Sequence, residues 1–125
     1  MTTKELYDAI GGNYEVAFER LMSEKFISKY IVKFLRDHSY SDLMEEWNGN
    51  KDSEELFKKS HSLKGVCANL ALDKLFDTVC VITDHFRAGE DNCVNNIEEY
   101  FEKLEVDYKA SVALIEEFAV EHPIQ

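Results

Sequence analysis

A chain of 125 residues, 45% hydrophobic and with eight Phe, six Tyr and one Trp, has the length of one domain, residues 1–125, and the apolar surface for a single core. Acidic residues outnumber basic ones 25 to 14, a formal net charge of -11. A surface of that sign repels nucleic-acid phosphates and anionic lipid headgroups, so no nucleic acid and no membrane are expected as partners.

The elements follow from the N-terminus. Five glycines and one proline, Pro123, permit long uninterrupted helices and count against an all-β fold. Thr2 and Glu5 are spaced as a capping box for a short helix over about 3–10, ended by Gly11-Gly12. Asn13 can cap a second short helix carrying Val16, Phe18 and Leu21. Ser23 precedes a stronger one, in which Phe26, Ile27, Tyr30, Ile31, Phe34 and Leu35 form a wide apolar stripe at helical period. Asp37 to Tyr40 break it, and Ser41 can cap a helix through Trp47 that stops at Asn48-Gly49-Asn50.

Asp52 and Glu55 open the next helix, which runs to about Leu70. Asp73 caps another, with Leu75, Val79, Ile82 and Phe86 at a/d spacing and Gly89 past its end. From about Asn92 a long helix carries Val94, Ile97, Phe101, Leu104, Tyr108, Val112 and Ile115, and Pro123 marks its end. Helices joined by short loops favour antiparallel neighbours. The expected fold is all-α, an antiparallel up-down four-helix bundle with additional short N-terminal helices. Cys67, Cys80 and Cys93 are an odd number without a C-x-x-C pair, and they predict reduced, mostly buried thiols in a cytoplasmic protein. Acidic and polar residues throughout residues 1–10 make a signal peptide unexpected, and no apolar run approaches about 18 residues.

The chemistry concentrates between Glu54 and Leu72, E-E-L-F-K-K-S-H-S-L-K-G-V-C-A-N-L-A-L. On a wheel of about 100° per residue with His61 at the origin, Leu56, Leu63, Cys67 and Leu70 cluster on the opposite side. Phe57, Lys64, Gly65 and Ala68 fall within about 60° of the histidine. The pattern buries one face and displays His61, Lys64 and Gly65 on the other. A glycine in a helix interior costs about 1 kcal/mol relative to alanine, and here it bares the backbone one turn from the histidine. Lys64 is a flexible cation able to reach a dianion on the imidazole. Imidazole is largely neutral near pH 7, so one nitrogen keeps a nucleophilic lone pair. Phosphoryl transfer depends on in-line positioning and charge neutralisation, for which these residues are suited. The missing carboxylates and Mg²⁺ must come from a partner.

The run H-S-L-K-G-V-C-A-N-L-A, His61 to Ala71, resembles the motif H-x-x-K-G-x-x-x-x-x-G of the histidine phosphotransfer (HPt) family, and the acidic helical chain is similar to that family along nearly its whole length. The resemblance implies that His61 accepts a phosphoryl group from the phospho-aspartate of a response-regulator receiver domain and returns it to another. Lys64 would stabilise the phosphohistidine and Gly65 would permit close docking. Phe57 and Ala68 are the expected apolar docking residues. Ala71 departs from the pattern, which often has glycine there. The partners implied are receiver domains and a sensor or hybrid histidine kinase. The chain would be a monomeric carrier, not an enzyme, with no cofactor of its own and Mg²⁺ supplied by the receiver.

Three other readings carry less. A complete kinase needs an ATP-binding domain with Gly-rich motifs, which this chain lacks. A carboxylate-bridged metal bundle wants E-x-x-H pairs, and none occurs, while His38, His85 and His122 stand beside loops or chain ends. A non-catalytic helical adaptor for receiver or kinase domains would have no use for His61, Lys64 and Gly65 together.

Overall fold

In the computed structural model, which describes residues 1–89 and 93–122, all regular structure among the described residues is helical. Seven α-helices follow one another: α1 (Thr3–Ile10), α2 (Tyr14–Leu21), α3 (Glu24–Lys33), α4 (Ser39–Asn48), α5 (Ser53–Asn69), α6 (Asp73–His85) and α7 (Ile97–Glu121). A 3-10 turn, Phe34–Arg36, extends α3. Among the described residues no helix is long and apolar enough to cross a membrane.

Side-chain oxygens set several of the starts. The Thr2 hydroxyl accepts from the Glu5 amide while the Glu5 carboxylate accepts from the Thr2 amide, a complete capping box. Asn13, Ser23 and Asp52 each accept from the amide three residues on, at 3.1, 3.1 and 3.0 Å. Gly11, at φ +76°, closes α1 in the left-handed conformation that glycine adopts without strain.

Three starts differ from the sequence expectation. Ser41 does not cap α4, which begins at Ser39. Asp37 accepts from the Ser39 amide instead, and the Ser41 hydroxyl donates to the His38 carbonyl. Asp73 is the first residue of α6, not its cap, because the turn from α5 is so tight that Leu72 already stands at the junction. The long helix starts at Ile97, so Val94 lies before it. The Val94 amide donates to Nδ1 of His85, which folds that segment against the end of α6. Asn92 and Pro123 lie outside the described residues.

The core draws on every helix. Leu6, Tyr7 and Ile10 of α1, Ala17 of α2, and Ile27 and Ile31 of α3 join Leu43, Leu56, Leu63, Cys67, Leu75, Val79 and Ile82 from the middle helices. α7 supplies Phe101, Leu104, Ile115 and Phe118. Aromatic stacking ties α4 to α7: Trp47 lies on Phe101 with centroids 3.9 Å apart, and Tyr40 on Tyr108 at 3.7 Å. Lys59 joins α5 to Glu46 of α4 at 3.2 Å, and Lys74 joins α6 to Asp107 of α7 at 3.4 Å. α1 and α3 pack on α7, with Thr3 and Ser28 hydrogen-bonded at 3.0 Å between them.

Part of the α3 stripe is not core. Ile27, Ile31 and Phe34 are buried, but Phe26 and Tyr30 are 47% and 40% exposed. The stripe is wider than the face α3 turns inward. Of the cysteines, Cys67 is buried, Cys80 partly so, and Cys93 is exposed, because it precedes α7 rather than lying within it. All three are free thiols.

Candidate functional site

α5 is built to hold one face rigidly. Asp52 caps it, Glu54 and Glu55 place negative charge in its first turn, and Lys58 pairs with Glu54 one turn on at 3.2 Å. Leu56, Leu63 and Cys67 are buried, and Leu70 just past the helix end is nearly so. Truncating such a leucine to alanine costs about 2–5 kcal/mol, so this stripe fixes the rotation of the helix. Ser60 is also fully buried, its hydroxyl donating to the Phe57 carbonyl at 3.1 Å. Burial pushes the Cys67 thiol up to about 12, leaving it a packing group.

His61 stands opposite that stripe, exposed and mid-helix. The half-buried Phe57 ring lies one turn before it, nearly parallel to the imidazole at 12° with centroids 5.8 Å apart. Lys64 is half-buried, and its charge is felt at Cys80 of α6. Burial raises the pKa of Cys80 on that helix, and the charge of Lys64 pulls it the other way. Gly65 is exposed, and a Cβ added there would meet nothing within 4 Å among the described residues. Its cost to the helix is therefore not offset by any close packing inside the chain.

Ala68 is half-buried, and its carbonyl accepts from the Arg20 guanidinium of α2. The structure thus brings His61, Phe57, Lys64 and Gly65 together on one helix face and places Ala68 further along, where α2 meets the end of α5.

Two cations escape sequence reasoning. Arg87, just beyond α6, lies 5.1 Å from the Phe57 ring centre and reaches Asp84 at 3.3 Å. Arg20 arrives from α2. Neither belongs to a periodic pattern with His61, so only tertiary packing could reveal them. Among the described residues no three His, Cys, Asp or Glu side chains cluster so as to hold a metal ion, and no buried side-chain nitrogen or oxygen lacks a hydrogen-bond partner.

The end of α5 accounts for Ala71. Leu72 donates to the Cys67 carbonyl at 2.9 Å and Ala71 to the Ala68 carbonyl at 3.1 Å, the paired bonds of a Schellman motif. Ala71 takes the left-handed position at φ +55°, the one where glycine is favoured. No family model matches this chain, and neither a curated protein nor a solved structure matches it.

Proposed function

We propose that the chain is a histidine phosphotransfer protein, in which His61 accepts a phosphoryl group from a receiver-domain aspartate and passes it on. One observation carries this reading: an exposed mid-helix imidazole has beside it an exposed glycine that no close packing among the described residues requires. A bare backbone patch is of use to a partner that must come within bonding distance of the ring.

In the proposed step the unprotonated ring nitrogen attacks phosphorus as the bond to the aspartyl oxygen breaks. The carboxylate leaves with the electron pair, and the imidazole's proton stays on its other nitrogen. The receiver supplies Mg²⁺ and its carboxylates. Lys64 neutralises phosphoryl oxygens once they arrive on His61, and Phe57 lies against one side of the ring and holds its orientation.

The architecture supports this assignment. Contacts pair residue 40 with 108 and 47 with 101 between α4 and α7, and 46 with 59 between α4 and α5. Together with residue 74 against 107, they support the reading of α4–α7 as an antiparallel four-helix bundle with α1–α3 as the additional N-terminal helices. Such a carrier has no need of an ATP site and works as a monomer in the cytoplasm with its histidine face open.

The test is incubation with phosphorylated receiver domains of the same organism. The wild type is expected to take up an acid-labile, base-stable phosphate, and His61→Gln to take up none. Normal uptake by His61→Gln would remove His61 from the reaction. Receiver binding without any transfer, unchanged in His61→Ala, would favour the adaptor.

A further inference from the structure

The chain is acidic, yet α5 has a slight and α3 a clear excess of basic side chains. Between Glu24 and Arg36 stand four basic side chains, Lys25, Lys29, Lys33 and Arg36, and one acidic one. Elsewhere the lysines are mostly tied down: Lys4, Lys58, Lys59, Lys74, Lys103 and Lys109 each have a carboxylate within 4 Å. Lys25, Lys29 and Lys33 follow one another at i, i+4 and i+8 on α3, and among the described residues none of them has an ion-pair partner. Lys29 and Lys33 instead lie 5.9 and 5.6 Å from the centre of the Tyr30 ring. Tyr30 and its neighbour Phe26, centroids 6.3 Å apart, are the exposed half of the α3 stripe. Unpaired cations and exposed aromatics thus share one face.

That face adjoins the histidine helix. Tyr30, Lys33 and Phe34 line a groove of about 210 Å³ with Val66 and Asn69 of α5 and Leu70 just past its end, and Asp37 is its single carboxylate. Asn69 lies about 12 Å along α5 from His61. A standard protein interface covers about 800 Å² on each partner, roughly 30 Å across, so a partner centred on His61 reaches the end of α3 that lines this groove, with the rest of the lysine row leading away from it.

We propose that the Lys25, Lys29, Lys33, Phe26 and Tyr30 face of α3 is the steering and docking surface for the acidic receiver domain that exchanges phosphate with His61; this rests on the function proposed above. The partner must bring the carboxylates and metal that the chain lacks, so it approaches with an acidic surface. A chain of net charge -11 repels such a surface everywhere except where unpaired cations gather. The two exposed rings give that contact its apolar centre. An anionic membrane fits less well, because the overall charge opposes it and α3 buries its most apolar face in the core.

The experiment compares two donors. Phosphoramidate, a small donor that needs no docking, labels His61 in the wild type and equally in the Lys25→Glu/Lys29→Glu/Lys33→Glu variant. The purified receiver that transfers fastest to the wild type is expected to transfer at least 10-fold more slowly to that variant at low ionic strength, with its salt dependence flattened. The Lys→Gln triple variant, which places no new like charges, falls between. Receiver transfer and salt dependence unchanged in both variants would overturn the proposal. So would labelling of His61 by phosphoramidate with no receiver engaging. Lysine-dependent binding to phosphatidylserine vesicles with receiver transfer unaffected would give the face to a membrane instead. Failure of phosphoramidate to label the folded wild type would sink the reading of His61 itself.

Discussion

Two stretches of α5, less than two turns apart, are treated by the fold in opposite ways. Around His61 and Gly65 the outward side chains are exposed, and the helix there would keep its contacts if those side chains were exchanged. From Ala68 to Ala71 three of the four backbone carbonyls accept a hydrogen bond from outside the helix. The Tyr7 hydroxyl donates to the Leu70 carbonyl at 2.8 Å, Arg20 donates to that of Ala68, and the Asn13 amide donates to that of Ala71 at 2.9 Å. A helix end leaves carbonyls without intrahelical partners, and here the N-terminal segment supplies them. The difference shows where the chain's own stability lies and where a face has been left to something outside the chain.

The contrast is broken most strongly at Tyr7. Tyr7→Phe leaves the buried Leu70 carbonyl without its donor, at a cost of about 1–3 kcal/mol, read from the midpoint of urea unfolding. His61 labelling by phosphoramidate is expected to stay at the wild-type level, since nothing on that face moves. Burial also holds the Tyr7 phenol well above the ordinary value of 10.0. The folded state therefore keeps a proton that the unfolded state releases, and stability falls as pH rises beyond about 10. The Tyr7→Phe variant should lose less stability than wild type over that alkaline range. An equal loss would show that this phenol does not control it.

Most helix starts could be read because a cap is a local signal. Thr2 with Glu5, Asn13, Ser23 and Asp52 act on amides three residues away, and no tertiary contact is needed to place them. The exceptions, Ser41, Asp73 and the start of α7, lie where a neighbouring turn or helix claims the backbone first. The histidine face was legible because Leu56, Leu63, Cys67 and Leu70 fix the rotation of α5 by their spacing alone. Arg20, Arg87 and the cationic face of α3 were not. Their position beside α5 depends on how helices pack, which no periodicity within one segment encodes.

Gly65 sharpens the comparison in the opposite direction from Tyr7. With open space around its Cβ position and no positive φ, Gly65→Ala should stabilise the chain by about 0.5–1 kcal/mol. Gly65→Gln should keep most of that gain while transfer from a receiver slows at least 10-fold and phosphoramidate labelling persists. A variant that is both more stable and less able to exchange phosphate with its partner would mark the glycine as kept for docking. If Gly65→Ala lowers the unfolding midpoint, the helix itself needs the glycine and that argument fails.

The smallest effect is expected at Ala71, and it separates two opposing contributions. A left-handed residue with a Cβ carries a strain of about 1–2 kcal/mol, which argues for a gain in Ala71→Gly. Against this stand the greater chain entropy that glycine loses on folding, about 0.5–1 kcal/mol, and one buried methyl worth about 0.8 kcal/mol, since Ala71 is only 1% exposed. The sum is centred near zero and lies within about 1 kcal/mol of it, so alanine holds this Schellman position with little penalty as long as its methyl stays packed. Met22 provides the control. It closes α2 in the same left-handed region at φ +69° but is 75% exposed, so little burial offsets its strain. Met22→Gly is expected to raise stability by about 0.5 kcal/mol where Ala71→Gly does not. Equal gains at both sites would mean that the packing of the Ala71 methyl contributes nothing to the end of α5.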